Sequence, residues 1–150
     1  MQRQENTRSE WGPGPWDNEP DREEWRYKGL ACLARRNTEM GIWCGYVAVP
    51  PGHPWHGKTY SDLEDLDNCP NVHGGLTYSA GCQDDICHKA ADGEPDNVWW
   101  LGFDCGHYLD LVPSYETLGL NFRLSASVYR DLNYVKYQCQ SLADQIVAAA

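Results

Sequence analysis

The sequence predicts an α+β fold in which an antiparallel sheet of about four to six strands packs against a C-terminal amphipathic helix. Residues 42–49 are apolar on both faces, which is typical of a central strand. Residues 72–79 and 98–105 alternate from one face to the other, as half-buried strands do. Near the C-terminus, apolar residues recur at spacings of three and four, which indicates one face of a helix: Leu132, Val135, Cys139, Leu142 and Ile146.

The N-terminal part of the chain is expected to contain the boundary between a flexible arm and the folded domain. Residues 1–14 are polar and end in a stretch rich in Gly and Pro, so we expect a flexible arm followed by one domain over residues 15–150. Residues 19–28 are expected to form a short helix, because Pro20 suits a first helical position and acids follow it where the helix dipole favours them.

Prolines and capping residues set the other boundaries. A β-like run at 30–33 precedes the central strand, and Pro50 should end that strand because proline lacks the backbone donor of a sheet ladder. Either Asp131 or Ser127 is expected to cap the C-terminal helix.

The composition of the 150 residues argues against several classes of function. The formal net charge is -10, which is opposite to the basic surface of a nucleic-acid-binding protein. No apolar run approaches the roughly 18 residues of a membrane span, and residues 1–6 lack the core of a signal peptide. We therefore expect a cytoplasmic protein with no nucleic-acid or membrane partner, whose seven cysteines are mostly buried and reduced.

All five histidines fall between residues 53 and 107, which points to a working site between Gly52 and Asp110. A single histidine is more often a surface or core residue than a ligand, but the grouping favours at least two at one site. The neighbouring residues favour four of them: His53, His73, His88 and His107.

Cysteine and histidine also occur together in this stretch, at Cys82, Cys87-His88 and Cys105-Gly106-His107. Thiolates and imidazole are zinc ligands, so zinc is a possible cofactor, although the spacing is not that of a standard finger and buried thiols remain the simpler interpretation. The candidate metal ligands are Cys87, His88, Cys105 and His107.

Enzyme signatures are missing from the chain. No Gly-x-Ser-x-Gly elbow, phosphate-binding loop or dinucleotide fingerprint occurs. Cys105, His107 and Asp110 have the residue types of a nucleophilic triad, but nearness in sequence does not make them one. If the protein is an enzyme, His73 and His107 are the expected general base and acid.

Binding of a nucleotide-like ligand is the better-supported interpretation. Aromatic rings can stack on a base, and histidine, threonine and lysine can meet sugar or phosphate oxygens. Because the chain is acidic, local cations such as Lys58, Lys89 or the Arg35-Arg36 pair would have to attract the phosphate. The candidate ligand-binding residues are His53, Lys58, Tyr60, His73, Thr77, Tyr78, His88, Trp99, Trp100, Asp104 and His107.

Several motifs in order resemble a family of small bacteriophage and prophage proteins that has no established activity. They are Gly14-Pro15-Trp16-Asp17-Asn18-Glu19-Pro20-Asp21, Trp43-Cys44-Gly45-Tyr46-Val47, Val49-Pro50-Pro51-Gly52-His53-Pro54, Val72-His73-Gly74-Gly75-Leu76-Thr77-Tyr78, Ile86-Cys87-His88, Val98-Trp99-Trp100-Leu101-Gly102-Phe103-Asp104-Cys105 and Tyr129-Arg130-Asp131-Leu132-Asn133-Tyr134-Val135-Lys136. Gly106 stands where that family usually has alanine. The resemblance implies an accessory protein that works in the cytoplasm of an infected bacterium.

Three hypotheses follow. In the first, the protein counters host defence by binding and sequestering a nucleotide-derived signal, with Trp99, Trp100 and Tyr78 stacking its base, and a homo-oligomer helps to enclose the ligand. In the second, the protein cleaves such a signal. In the third, it inhibits another protein or mimics DNA through an acidic stretch, although a solvated loop explains the same acids: Asp62, Glu64, Asp65 and Asp67.

Overall fold

The computed structural model describes residues 11–115 and 127–150, and they contain a five-stranded antiparallel sheet and a long C-terminal helix. The spatial order of the strands is β1-β2-β3-β5-β4. Their bounds are Arg22–Tyr27 for β1, Leu30–Arg36 for β2, Trp43–Val49 for β3, Tyr78–Ala80 for β4 and Trp99–Asp104 for β5. The predicted α+β class is confirmed.

Strand β1 corrects the expectation of a helix at 19–28. Lys28 and Gly29 both have positive φ, 51° and 81°, which is the geometry of a two-residue turn between antiparallel strands. Tyr27 therefore pairs with Leu30 and Arg22 with Arg35. The helix prediction was wrong because side chains of β1 alternate between exposed and half-buried, a period of two that the acids concealed.

Strand β3 lies in the middle of the sheet, as its apolar sequence predicts, and Pro50 follows its last residue. It pairs with β2 on one side and with β5 on the other. By contrast, only residues 78–80 of the predicted strand at 72–79 are a strand. Gly74 and Gly75 have φ of 68° and 82°, so the chain turns before it reaches the sheet, and Val72 and Leu76 pack into the core from this turn.

Two α-helices, α1 at Tyr60–Glu64 and α2 at Leu132–Ala149, complete the described fold, together with short 3-10 helices at Pro15–Asn18 and Pro113–Tyr115. Asp131 caps α2, since its carboxylate accepts a hydrogen bond from Tyr134 N at 2.8 Å. The predicted apolar stripe is buried against one face of the sheet. The helix lies close to β3, because a Cβ at Gly45 would be 2.7 Å from Cys139 Sγ and 2.5 Å from the Phe103 ring.

The opposite face of the sheet is covered by the segment 81–97. Leu33, Tyr46 and Trp100 form a second apolar cluster beneath it. Arg22 donates to the carbonyls of Asp85 and Cys87 at 2.6 and 3.0 Å, and Arg26 forms a two-pronged ion pair with Glu94. Side chains of the edge strand therefore hold this segment in place.

A buried ion network joins the N-terminal segment, the sheet and α2. The Arg36 side chain is fully buried and donates to Asp21, to Glu19 and to the carbonyl of Gly41. Its guanidinium also lies 4.6 Å from the centroid of the Trp43 ring. Residues 1–10 of the predicted arm lie outside the described residues, whereas Trp11 is 3% exposed. Neither helix is long and apolar enough to cross a bilayer, over residues 11–115 and 127–150.

Candidate functional site

The candidate site residues lie in two main places. The first, which we call the histidine–aspartate cluster, contains His73, His107, Asp110, Arg130 and Tyr134 and lies beside the start of α2. The second, which we call the charged groove, lies on the opposite face of the sheet between strands β1 and β2 and the segment 84–89.

His73 is held at both ring nitrogens. Its Nε2 lies 2.7 Å from Oδ2 of Asp110, and its Nδ1 lies 2.7 Å from the hydroxyl of Tyr134. The backbone N–H of His73 donates to Gln138 Oε1 at 3.1 Å, so the cluster is tied to α2 at two points. With a carboxylate accepting from Nε2–H, Nδ1 is the acceptor for the phenol proton.

Asp110 is the buried anion of the cluster, with a side chain only 1% exposed. Besides the His73 ring, its carboxylate accepts from the backbone N–H of His107 at 3.0 Å and from Arg130 Nε at 3.1 Å. The Arg130 guanidinium also lies 4.7 Å from the centroid of the Tyr134 ring. Buried carboxylates are stable in proteins when they are paired in this way.

His107 forms the outer wall of the cluster. Its ring centroid lies 6.0 Å from that of His73, and its Nε2 lies 3.3 Å from Asp104 Oδ1 without the alignment of a hydrogen bond. Asp104 in turn accepts a hydrogen bond from the Thr77 hydroxyl at 3.1 Å. Gly74 lies against His107 so closely that a Cβ there would be 2.2 Å from the ring.

The structure thus brings together four of the predicted site residues, His73, Thr77, Asp104 and His107. Sequence reasoning missed Arg130 and Tyr134, because they lie far along the chain. The available signal was the C-terminal motif at 129–136, whose Tyr134 and Arg130 contact His73 and Asp110.

The charged groove has a volume of about 760 Å³, which is in the range of small-molecule sites. Four of the twelve Lys and Arg residues of the chain are among its lining residues, with four acids and one histidine, but the Arg36 side chain is fully buried in the ion network described above. The lining residues are Asp21, Arg22, Glu24, Arg35, Arg36, Thr38, Asp84, Asp85, Cys87, His88 and Lys89. Of the predicted ligand-binding residues, only His88 is among them.

A line of cross-strand partners runs across the sheet from the charged groove toward the histidine–aspartate cluster. Arg22 pairs with Arg35, Arg35 with Cys44, and Cys44 with Asp104, on four adjacent strands. Since neighbouring strands are about 5 Å apart, Arg35 and Asp104 are about 10 Å apart along this row. Burial, followed by the charge of Asp104, raises the pKa of the Cys44 thiol to about 11. The thiol between Arg35 and Asp104 is therefore uncharged at neutral pH.

The predicted four-ligand metal site is not formed. Cys87 lies in a disulfide with Cys82, and the ligand atoms of Cys82, Cys87 and His88 lie within 4.8 Å of one another. Cys105 and His107 do not join them in any such group within the described residues. The expectation of reduced thiols is also corrected for this pair, because the turn closed by Gln83 and Ile86 brings the two Cα atoms to 4.6 Å.

Cys105 is unsuited to act as the nucleophile of a triad. It is 2% exposed. Burial, and then the negative charge of nearby Asp110, raises the pKa of the Cys105 thiol far above its ordinary value. A nucleophilic cysteine needs the opposite shift, because the thiolate is the reactive form.

Other predicted residues have structural roles. The ring of His53 donates to the carbonyl of Ile146 at 2.6 Å and accepts from Trp55 N at 2.9 Å, so it fastens the segment after β3 to the end of α2. The ring nitrogen Nε1 of Trp99 donates to the backbone carbonyl of Lys58, and the backbone N–H of Tyr60 donates to Ser79 Oγ. None of these residues lines the groove.

The predicted stack of Trp99, Trp100 and Tyr78 on one base is corrected. Trp99 and Trp100 point to opposite faces of the sheet, because neighbours on a strand alternate. Trp100 is fully buried, and its Nε1 donates to Cys82 Sγ at 3.4 Å. Tyr78 packs edge-on against Tyr46.

Comparisons of the chain with protein-family models, with curated proteins and with solved structures give no match. The resemblance to bacteriophage proteins stays a prediction.

Proposed function

We propose that the protein binds and sequesters an anionic, nucleotide-derived small molecule in the charged groove. The observation that carries this proposal is the groove itself, a cleft of about 760 Å³ with the cations Arg22, Arg35 and Lys89 on its walls. A cleft of this size can take a mononucleotide or a larger derivative.

The cations of the groove differ in how far they are already engaged. Arg36 is committed to Glu19 and Asp21, and Arg22 to backbone carbonyls and Glu24. Arg35, whose closest ion pair is with the exposed Asp85 at 3.7 Å, can turn toward a ligand at little cost. Arg35 and Lys89 are therefore the proposed phosphate-binding residues.

The acids of the groove fit the polar part of such a ligand. Glu24 and Asp84 can accept hydrogen bonds from sugar hydroxyls or from the amino group of a base. Recognition of the base then rests on hydrogen bonds and on the His88 ring, since the tryptophans proposed for stacking do not line the groove.

Charge reversal at the groove tests this proposal. Isothermal titration calorimetry with mononucleotides, cyclic dinucleotides and cyclic ADP-ribose should detect a ligand for the unaltered protein. The double variant Arg35→Glu and Lys89→Glu is expected to weaken its Kd at least tenfold, because two attractive charges become repulsive. Lys58→Glu, an equal change outside the groove, is the control and should leave Kd within about twofold.

Binding that survives the double variant, or no binding by any of these nucleotides, would contradict the proposal. Ligand recovered intact after denaturation of the complex would indicate sequestration, whereas a cleaved product would indicate the enzymatic alternative. In an infected bacterium, such sequestration would withdraw a defence signal from its receptor, which is the proposed role of the protein as a phage accessory factor, acting as a homo-oligomer.

We also propose that the reduced protein holds zinc at Cys82, Cys87 and His88. Their ligand atoms lie within 4.8 Å of one another, and reduction of the disulfide would let the two sulfur atoms separate to the distance found around tetrahedral zinc. Nδ1 of His88 is buried and has no hydrogen-bond partner among the described residues, so a ligand position is available. Because Cys87 and His88 line the groove, a zinc ion held there would add positive charge beside a bound anion.

Zinc titration of the reduced, metal-free protein should show one equivalent bound. Cys82→Ser and His88→Ala are expected to weaken zinc binding at least tenfold, because each removes one of three ligands. Cys69→Ser is the matched control, since Cys69 is a free exposed thiol outside the group. Equal zinc binding by the oxidised protein would contradict the assignment, because thiols in a disulfide cannot coordinate as thiolates.

A further inference from the structure

We propose that the histidine–aspartate cluster is an acid–base centre that hydrolyses phosphate esters, with Tyr134 as the group that meets the substrate. His73 and Asp110 form the proton relay behind Tyr134. This activity goes beyond ligand binding in the charged groove and does not depend on it.

The hydrogen bonds set the direction of the relay. Asp110 accepts from His73 Nε2–H, so the lone pair of Nδ1 faces the Tyr134 hydroxyl at 2.7 Å. A buried carboxylate that fixes one imidazole nitrogen, so that the other can take a proton from a hydroxyl, is the arrangement of hydrolytic triads. Here the hydroxyl is a phenol.

The surroundings of Tyr134 keep the phenol neutral at rest. Burial raises the pKa of the Tyr134 hydroxyl, and the positive charge of Arg130 offsets only part of this effect. Tyr134 therefore passes a proton on instead of waiting as a phenolate. Arg130 and His107 lie beside it with side chains 28% and 33% exposed. Arg130 is placed to meet a phosphate, and because Nε2 of His107 is buried, Nδ1 is the nitrogen that His107 would turn toward the substrate.

The backbone of the cluster is strained at Leu109, between His107 and Asp110. Leu109 has φ of 72°, a left-handed conformation that is unfavourable for a residue with a side chain. The turn is closed by the hydrogen bond from Asp110 N to the carbonyl of His107 at 3.0 Å. Such strain persists where the surroundings enforce a particular placement of side chains, and functional sites are the usual location.

The proposed step balances as follows. A water oxygen forms a bond to phosphorus, and the bond from phosphorus to the ester oxygen breaks. The water proton passes to Tyr134 Oη while the phenol proton passes to His73 Nδ1, and Asp110 stabilises the resulting imidazolium. The leaving oxygen takes a proton from His107 in its imidazolium form, and solvent then restores both histidines.

The test uses p-nitrophenyl phosphate and bis(p-nitrophenyl) phosphate as substrates for the full chain. The unaltered protein is expected to release p-nitrophenol from at least one of them, and the comparison distinguishes monoesters from diesters. Tyr134→Phe should lower kcat at least 100-fold, since it removes the proton-transferring hydroxyl. Tyr137→Phe is the control: Tyr137 is on the same helix, 68% exposed, and its hydroxyl should not matter.

The pH profile separates the relay from a structural role. In the unaltered protein, kcat should be low in acid, because the relay needs a neutral imidazole to accept the phenol proton, and should fall again in alkali, because the leaving oxygen needs a proton donor. His73→Gln should remove the dependence on the acid side and lower kcat as far as Tyr134→Phe does. Circular dichroism checks that each variant folds, and His73→Gln decides the test if Tyr134→Phe does not. The proposal is overturned if neither ester is hydrolysed, or if a folded variant lacking the phenol or the imidazole keeps the activity.

Discussion

Replacement of Arg36 by methionine is expected to lower the free energy of unfolding by about 3–5 kcal/mol, because it leaves buried charges without their partner. Arg36 is 2% exposed and holds Glu19 and Asp21 on two sides. Glu19 also accepts from Tyr129, Trp43 and the first N–H of α2, so the loss spreads to several elements. Urea unfolding followed by tryptophan fluorescence measures the change.

The matched control is Arg26→Met, which breaks a two-pronged ion pair of similar geometry at the surface. That change should cost less than about 1 kcal/mol, because solvent screens an exposed pair. Equal losses from the two variants would show that the burial of Arg36 has no energetic importance.

Acid is expected to cause part of the loss of stability that Arg36→Met causes, because it protonates Glu19, one of the partners of Arg36. Burial opposes ionisation of Glu19, but hydrogen bonds from Leu132 N, Tyr129, Arg36 and Trp43 outweigh it and lower the pKa of Glu19 below its ordinary value of 4.5. A carboxyl whose pKa is lowered in the folded state adds stability at pH values above its ordinary pKa. This stability is lost as the pH falls through the pKa of the folded state. When the pH is lowered from 5, the free energy of unfolding, measured with urea, should therefore fall less for Arg36→Met than for the unaltered protein.

Gly74→Ala is expected to disturb both the stability and the geometry of the histidine–aspartate cluster. The new Cβ would lie 2.2 Å from the His107 ring, and the φ of 68° is strained for any residue with a side chain. Strain costs about 1–2 kcal/mol, and the clash adds about 1–3 kcal/mol because His107 must move. Thermal unfolding gives the loss of stability, and NMR spectra of the histidine rings report the displacement.

Gly75→Ala provides an unusually close control for this change. Gly75 has φ of 82°, but a Cβ there would meet no atom within 4 Å. The two variants share the strain and differ in the contact with His107, so their difference measures that contact. If they are equally stable and have the same His107 resonances, the close approach of Gly74 to His107 is incorrect.

The fold was largely predictable because its main elements have strong periodicity. The buried strand β3 and the stripe from Leu132 to Ile146 each leave a pattern that few other structures explain. Strand β1 was missed because Pro20 and the acids at 23 and 24 suit the start of a helix, whereas the decisive signal was the Lys28-Gly29 turn. Local propensity is weak when a hairpin partner is available.

The site was only partly predictable, for a different physical reason. Its histidines fall within one stretch of the sequence, but the partners that orient them come from elsewhere: Tyr134 from α2 and Arg130 from just before it. The charged groove was harder still, since its cations lie on β1, on β2 and in the segment 84–89. These residues are far apart in sequence, so their contacts can be inferred only once the order of the strands in the sheet is known.

The sheet order also has a consequence for how the chain folds. Strands β1, β2 and β3 are consecutive and pair through short turns, so this meander needs little loop-closure entropy to form. Strand β5 reaches β3 only after residues 50–98, and α2 comes last. Contacts distant in sequence form slowly, so we expect the N-terminal meander to serve as the template on which both candidate sites are assembled late, when the C-terminal half docks.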